Sequence, residues 1–377
     1  MAAAVSRLAF IDALKAIASQ LIVLHHLAFY GPMSDFAQEL APAVIAWLSQ
    51  DARIAVQVFL VIGGFLAAKG LAPNGRLIAK APLALAVNRY FKLAIPYLAA
   101  LLISIACAFI ARQWMDHGSI PGTPTTPQFL AHALLLQNIL GTEAISAGVW
   151  YIAIDFQLFI VLLGALWLGR RFGSGSRIAA RLGVTLVAAL AIASLFYFNR
   201  DSAWDDWALY FFGSYALGVL AWWVSGRKQA MDWLALIAII VIVALLVDFR
   251  SRIAVALLVS LALGVARKVG GLDTWLGARP LAFLGRISYS VFLLNFPVCL
   301  VINALFSRFA NDDPMLNAVG VLIAWAGSIA AGAMFYRFVE SRTGQIQDKA
   351  LYLGRALLID PAQRLGGRLM FALRVQR

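Results

Sequence analysis

Ten apolar runs, each long enough to cross a bilayer, recur along this chain of 377 residues. A helix needs ~20 mostly apolar residues to cross ~30 Å of hydrocarbon. The runs lie at 8–30, 52–70, 90–111, 148–168, 178–198, 207–224, 231–248, 251–267, 285–306 and 317–337. Only 13% of the residues are charged, whereas a soluble protein has about a quarter. The sequence therefore predicts an all-α polytopic membrane protein of about ten transmembrane helices.

Two features of these runs need interpretation. The seventh and eighth are separated only by a turn that carries Asp248, Arg250 and Arg252. Two spans joined by a tight turn and one long re-entrant hairpin both fit that pattern. The first run contains Asp12 and Lys15 and is followed by no small-residue cleavage site. It is therefore expected to stay as a helix, because a cleavable signal peptide has a different composition.

The basic residues predict the orientation of the helices. If the N-terminus is cytoplasmic and the helices alternate, most of the 31 Lys and Arg residues fall inside and most acidic residues fall outside. Cytoplasmic loops of membrane proteins carry such a Lys/Arg excess. Both termini are therefore expected in the cytoplasm. This topology explains the net charge of +13 and leaves no reason to invoke a nucleic-acid partner.

Two segments outside the apolar runs are conspicuous. The chain is expected to divide into a membrane domain at 1–340 and a basic amphipathic tail at 341–377, which suits an interfacial helix on anionic membrane lipid. The longest outer loop, 112–147, contains a turn rich in Pro, Gly and Thr. Loops of this length often serve as lids or binding loops.

The first apolar run carries a polar stripe. Lys15 and His26 are eleven residues apart, so on a helix they share one face about 16 Å apart along the axis. Ionisable groups in a membrane helix face protein or a cavity because lipid exposure is costly. A packing histidine that bonds a neighbouring helix is the alternative. Together, Lys15 and His26 favour the wall of a functional site.

The neighbouring His25 does not extend that site into a metal centre. It points about 100° away from His26 on a helix, so the pair cannot chelate one metal. No His-x-x-x-His or Cys/His cluster occurs elsewhere in the sequence, and Cys107 and Cys299 lie inside apolar segments. No metal site is expected, and the two cysteines are interpreted as packing residues.

Other polar residues suggest partners for this face. Asp155 is expected near the outer end of the fourth helix at a depth comparable to that of His26, where a carboxylate could fix the imidazole tautomer; a purely structural role fits equally well. Arg89 and Lys92 stand one turn apart at the cytoplasmic mouth of the third helix. They are either ordinary flanking charges or a site for a phosphate-bearing ligand. The pair Gly63–Gly64 favours close helix packing over room for a ligand.

Six segments, in order, resemble the integral-membrane acyltransferase 3 family. The segment FIDALKAIASQLIVLHH looks like the opening helix of the family, in which a basic residue and a histidine are separated by ten positions; here they are Lys15 and His26. The others are VQVFLVIGGFL, NRYFKLAIPY, VWYIAIDFQLFIV, FLGRISYSVFLLNFPV and FYRFVE. This chain departs from the family pattern with Gly63 in place of a serine, Asp155 in place of the commoner glutamate, and Asn295 in place of a histidine.

The resemblance implies a function. An acyl group, acetyl by default or succinyl as the other option, would pass from cytoplasmic acyl-CoA to a hydroxyl of an extracytoplasmic carbohydrate or similar acceptor. No cofactor would be permanently bound, and the protein would lie in the bacterial inner membrane among membrane lipids. The implied catalytic residues are His26, as general base or acyl-accepting group, with Asp155 and Lys15. The implied substrate-binding residues are Arg89, Lys92, His25, Trp150, Tyr289 and Asn295.

Two other classes of function fit a membrane helix with a polar stripe. A transporter or flippase of a glycan precursor would use the stripe as a permeation path and would show inverted repeats or interrupted helices, which the sequence does not display. A non-catalytic scaffold would use Lys15 and His26 only for helix packing. The acyltransferase interpretation accounts for more of the residues than either.

Overall fold

The computed structural model describes residues 8–310 and 312–349, and its described part is helical and without strands. The predicted tail at 341–377 lies outside the described residues from position 350 onward. The helices are α1 (Ala9–Phe29), α2 (Met33–Ala37), α3 (Pro42–Gln50), α4 (Val56–Leu71), α5 (Pro82–Trp114), α6 (Thr126–Ala133), α7 (Trp150–Phe172), α8 (Ser176–Phe196), α9 (Ala208–Ser225), α10 (Ala230–Val247), α11 (Ser251–Val269), α12 (Arg279–Phe309) and α13 (Pro314–Phe338).

Nine of the described helices are long and apolar enough to cross a membrane. They are α1, α4, α5, α7, α8, α9, α10, α12 and α13. Helix α11 has 19 residues but carries Arg252, Arg267 and Lys268. The predicted fold class, an all-α polytopic membrane protein, is confirmed.

Helix α11 joins the two predicted sides of the bundle. Just before its first residue, the Arg250 guanidinium donates to the carbonyl of Leu195 near the outer end of α8, at 2.9 Å. At its last turn, the Lys268 ammonium donates to the carbonyl of Arg227 in the cytoplasmic connection after α9, at 3.0 Å. Helix α11 therefore runs the length of the bundle beside α10, and the re-entrant hairpin is not formed.

The paired glycines of α4 have different surroundings. A Cβ on Gly64 would lie 1.9 Å from the carbonyl oxygen of Tyr215 on α9, and a Cβ on Gly218 would lie 1.9 Å from that of Val61 on α4. The backbones of the two helices touch there, which confirms close packing for Gly64. A Cβ on Gly63 would instead lie 3.6 Å from the Oδ1 atom of Asp155, so Gly63 faces a polar centre.

Helices α1 and α12 pack side by side in the same direction. Near their cytoplasmic ends, a Cβ on Gly285 would lie 2.1 Å from the carbonyl oxygen of Asp12. Farther along, His26 is hydrogen-bonded to Asn295. Helix α5 joins the pair where the Tyr289 hydroxyl donates to the carbonyl of Leu93, at 3.1 Å. This arrangement brings the polar face of the first helix against α12, inside the protein.

Candidate active site

His26 lies buried where α1 meets α12, with only 5% of its surface exposed. Its Nδ1 atom is 2.6 Å from Oδ1 of Asn295. The Asn295 amide nitrogen donates to the carbonyls of Phe292, at 2.5 Å, and Val291, at 3.3 Å. The amide oxygen of Asn295 must therefore face the imidazole. Because an amide oxygen only accepts, Nδ1 of His26 must carry the proton of this hydrogen bond. In the neutral ring this leaves a lone pair on Nε2.

The rest of the ring is enclosed by aromatic residues and one glycine. No described residue makes a hydrogen bond to Nε2 of His26. The Tyr30 ring lies 5.6 Å from the imidazole, centroid to centroid. Gly148 has a φ of +73°, and a Cβ there would approach Cε1 of His26 and the Phe292 ring to 3.1 Å. Glycine thus provides both the left-handed backbone and the space at the ring edge beside Nε2.

Of the two roles that the sequence left open for Asp155, a hydrogen bond to His26 is not formed. Its Oδ2 atom instead accepts from Nη2 of Arg89 at 2.5 Å, and its side chain is 7% exposed. The expected equal depth fails because Gly148, just before α7, is already level with His26. Asp155 follows seven residues later, which places it ~10 Å farther toward the cytoplasmic side.

The Arg89–Asp155 ion pair forms a second polar centre. The Arg89 guanidinium lies over the Phe159 ring, 5.5 Å from its centroid, and its Nε atom is buried without a hydrogen-bond partner in the described structure. Arg89 was expected to hold a phosphate, but its Nη2 donor is occupied by Asp155. If Arg89 binds a substrate, it can do so only through the guanidinium N–H groups that do not bond Asp155.

Lys15 and Lys92 lie near this pair. Lys15 is half-buried and Lys92 is exposed. Lys15 interacts electrostatically with the carboxylates of Asp12 and Glu340 and with the cations Lys92 and Arg89. The Glu340 carboxylate accepts a hydrogen bond from the Ser290 hydroxyl. Within residues 8–310 and 312–349, neither lysine has a carboxylate within ion-pair distance. Two ammonium groups are therefore available to an anion beneath His26.

Three other predicted substrate-binding residues make contacts with the protein itself. The His25 ring bonds through Nδ1 to the carbonyl of Leu48 on α3, at 3.0 Å. Trp150 stacks on Phe211 with ring centroids 5.5 Å apart. The Tyr289 hydroxyl donates a hydrogen bond to the backbone of α5, as described above. Contact with a substrate stays a prediction for each of them.

The outer loop 112–147 is folded rather than open. Its helix α6 begins with a capping box between Thr125 and Gln128. His132 is fully buried: its Nδ1 atom bonds the carbonyl of Gln128 at 2.9 Å, and its Nε2 atom accepts from the backbone N–H of Ile145 at 3.2 Å. Burial lowers the pKa of His132, opposed by the bond to Gln128.

This loop reaches the candidate site. The Gln137 side chain is buried and donates to the carbonyl of Val149, at 3.3 Å, next to the glycine that touches His26. Neither Gly148 nor His132 was among the predicted site residues. A single glycine or a loop histidine gives no local signal, because its role depends on what folds against it.

The described residues offer no metal centre, since no three His, Cys, Asp or Glu side chains among them converge as ligands. A family model described as an acyltransferase domain, that of the acyltransferase 3 family, matches residues 8–337. That range covers nearly the whole chain and contains both polar centres. No curated protein and no solved structure gave a match.

Proposed function

The chain belongs to the acyltransferase 3 family and is a membrane acyltransferase, and on this premise we propose that it moves an acyl group from cytoplasmic acyl-CoA to a hydroxyl of an extracytoplasmic carbohydrate or similar acceptor. The observation that carries this proposal is the environment of His26. One ring nitrogen is held by Asn295 and the other has no partner among the described residues. A buried imidazole held in this way is suited to act as a general base.

The proposed step moves one proton and exchanges one bond. The Nε2 atom of His26 takes the proton of the acceptor hydroxyl while the oxygen attacks the thioester carbonyl. The C–S bond then breaks, and the departing CoA thiolate takes the proton back from Nε2. Proton transfer of this kind contributes about 10²–10⁴-fold to a rate. A covalent acyl-histidine route would require the same lone pair.

Asn295 takes the orienting role that the sequence suggested for Asp155. In a Ser-His-Asp triad a carboxylate orients the histidine and also stabilises its positive charge. An amide oxygen can orient the ring and accept its N–H but brings no full negative charge. Asn295 is therefore a positioning residue for His26, in place of the substrate contact first expected.

The donor would lie below His26. Lys15 is on the same helix, eleven positions before His26, which corresponds to ~16 Å along the axis. An ammonium group is a common ligand of phosphate, and within the described part of the chain neither Lys15 nor Lys92 has a carboxylate within ion-pair distance. We place the phosphates of acyl-CoA beside these lysines, with the acyl arm directed toward His26 and acetyl as the default group.

Mass spectrometry of cell-surface glycans tests the proposal. The strains are wild type, a deletion, His26→Gln, and the matched control His117→Gln, compared at equal membrane abundance. His117 is suitable because its side chain is 32% exposed in the outer loop. We expect one acyl mass increment to disappear in the deletion and in His26→Gln and to persist in the control.

The outcomes test the carbohydrate acceptor and the general-base role of His26 separately. If His26→Gln keeps the increment that the deletion loses, the general-base role is wrong and the acceptor class stands. If the deletion changes no glycan, the carbohydrate acceptor is wrong. The mass of the lost group would distinguish acetyl from succinyl directly.

A further inference from the structure

A second polar feature lies at the cytoplasmic end of the bundle, away from His26. It is a pocket of about 510 Å³ between the connection 72–81, which joins α4 to α5, and the turn between α7 and α8. Four cationic side chains line it: Arg76, Lys80, Arg170 and Arg177. Its lining, as far as the structure describes it, contains no Asp or Glu.

The connection 72–81 is held by three hydrogen bonds, two from α9 and one from α7. The indole N–H of Trp223 donates to the carbonyl of Ala72 at 2.7 Å, and that of Trp222 donates to the carbonyl of Pro73 at 3.2 Å. The Arg170 guanidinium donates to the carbonyl of Ala79. The backbone that carries Arg76 and Lys80 is therefore anchored at both ends.

Close backbone packing builds the wall of the pocket. Gly75 has a φ of +78°, and a Cβ there would lie 2.7 Å from the Val184 side chain on α8. A Cβ on Gly183 would lie 3.1 Å from the carbonyl oxygen of Gly75. The turn thus rests directly on α8 with no side chain between them. The concave shape is set by the backbone and does not depend on the long basic side chains.

The four cations lack counter-charges. None of them forms an ion pair with a carboxylate in residues 8–310 and 312–349. Basic residues at cytoplasmic helix ends commonly only flank a span, but flanking charges do not need to surround a cavity. Four like charges around one concave surface repel each other, so an anion bound among them would be favoured.

Three exposed apolar side chains lie in or beside the pocket, among exposed polar ones such as Ser176, and together they form what we call its apolar rim. Ile78 is 63% exposed, Phe172 is 71% exposed and Ile178 is 50% exposed. Ile78 belongs to the lining itself, and the other two flank the turn between α7 and α8. Large exposed apolar side chains next to cations at the end of a membrane helix match the boundary between lipid headgroups and acyl chains.

We propose that this pocket binds the phosphate headgroup of an anionic phospholipid from the cytoplasmic leaflet. Four cations supply the charge complementarity, and the apolar rim accommodates the acyl chains. A soluble phosphate compound shares the headgroup chemistry but has no use for the rim. The pocket is separate from the polar centres above, since Arg170 lies fifteen residues beyond Asp155 on α7, or ~22 Å along the axis.

Native mass spectrometry of the purified full-length protein tests this site. The protein is titrated with phosphatidylglycerol and, separately, with phosphatidylcholine. Wild type is expected to bind phosphatidylglycerol preferentially. The triple variant Arg76→Gln, Lys80→Gln, Arg177→Gln is expected to bind it at least about tenfold more weakly, because each cation near anionic lipid contributes substantially to binding.

Two further variants separate a shaped site from diffuse charge. The triple control Arg171→Gln, Arg181→Gln, Arg279→Gln removes the same charge from exposed cytoplasmic positions outside the lining and is expected to bind like wild type. Ala180→Phe keeps every cation but places a phenyl ring in the lining of the pocket, and is expected to weaken binding. Equal loss in both triple variants, or wild-type binding by Ala180→Phe, would overturn the proposal.

The source of the phosphate is tested in the same experiment. Inorganic phosphate in large excess over the lipid is expected to leave phosphatidylglycerol bound, because it cannot replace the contacts with the rim. Displacement by inorganic phosphate alone would assign the pocket to a soluble phosphate compound and overturn the lipid assignment. Equal binding of phosphatidylglycerol and phosphatidylcholine by wild type would also overturn it.

Discussion

His26 and His132 are both buried histidines, and they differ in one ring nitrogen. In His132 both nitrogens are satisfied, Nδ1 by the carbonyl of Gln128 and Nε2 by the N–H of Ile145. In His26 only Nδ1 is held, by Asn295. Burial alone therefore does not separate the two residues. The difference that the proposed function uses is the ring nitrogen of His26 that no described residue binds.

Replacing each histidine by Gln is the most direct way to break this comparison. His26→Gln is expected to lower acyl transfer per folded molecule by about 10²–10⁴-fold, the usual contribution of a general base. His132→Gln is expected to leave transfer within a few-fold and to lower stability by ~1–2 kcal/mol through lost hydrogen bonds. Transfer assays and thermal unfolding of the purified proteins would measure both. Similar losses of transfer in the two variants would contradict the distinction.

Asp155→Leu tests whether this carboxylate serves Arg89 or His26. The substitution leaves Arg89 largely buried without its counter-charge, a type of change that costs ~3–5 kcal/mol of stability. The double variant Arg89→Met, Asp155→Leu is expected to recover most of that loss, because it removes both charges. Thermal unfolding of the single and double variants is the measurement. No recovery in the double variant would mean that the carboxylate has another essential partner.

Asn295→Leu removes the acceptor that holds Nδ1 of His26. Transfer is expected to fall by about 10–100-fold, since a lost buried hydrogen bond costs ~1–3 kcal/mol. Asn295→Asp restores an acceptor for the ring but cannot donate to the carbonyls of Phe292 and Val291, so it is expected to recover only part of the rate. Initial rates at matched protein abundance would measure the effect. If both variants lose transfer equally, Asn295 does more than accept from the ring.

Acidification is expected to have the smallest effect, and it should act on the outer loop. Burial lowers the pKa of His132 from its ordinary value of 6.5, so the folded loop favours the neutral ring. The stabilisation is fully present above pH 6.5 and is lost as the pH falls below it, when the unfolded loop takes up a proton first. A protonated ring can no longer accept the N–H of Ile145, which costs about 1 kcal/mol.

Hydrogen exchange over the outer loop would follow that change. Exchange near Ile145 is expected to rise between pH 7.5 and pH 5 after correction for intrinsic rates. The variant His132→Leu has no titrating group and should remove this pH dependence. A rise of the same size in His132→Leu would show that another group is responsible.

The helices could be predicted from the sequence because crossing a bilayer is a local property of the chain. The first helix was predicted at 8–30 and is found at Ala9–Phe29. Helix α5 was predicted from position 90 but begins at Pro82. Asn88, Arg89 and Lys92 interrupt the apolar sequence near the start of this helix. The chain nevertheless stays helical there, and Arg89 meets a carboxylate on α7.

The partner of His26 could not be predicted in the same way. Asn295 is 269 residues away along the chain, and which of the polar residues on α7 and α12 reaches the imidazole depends on the depth and rotation of each helix. Asp155 had the more suitable chemistry for that role. Asp155 lies ~10 Å deeper in the bundle than His26 because α7 begins at the level of His26. The hydropathy of the sequence does not define the first residue of that helix closely enough to predict this difference.

The choice of an amide as the partner of His26 also affects how the membrane potential acts on the site. A voltage of 100 mV does about 2.3 kcal/mol of work on each elementary charge moved across the bilayer. A carboxylate beside His26 would place a permanent charge within that field. Asn295 carries no net charge, so the hydrogen bond that holds Nδ1 of His26 contains no full charge on which the voltage across the membrane can act.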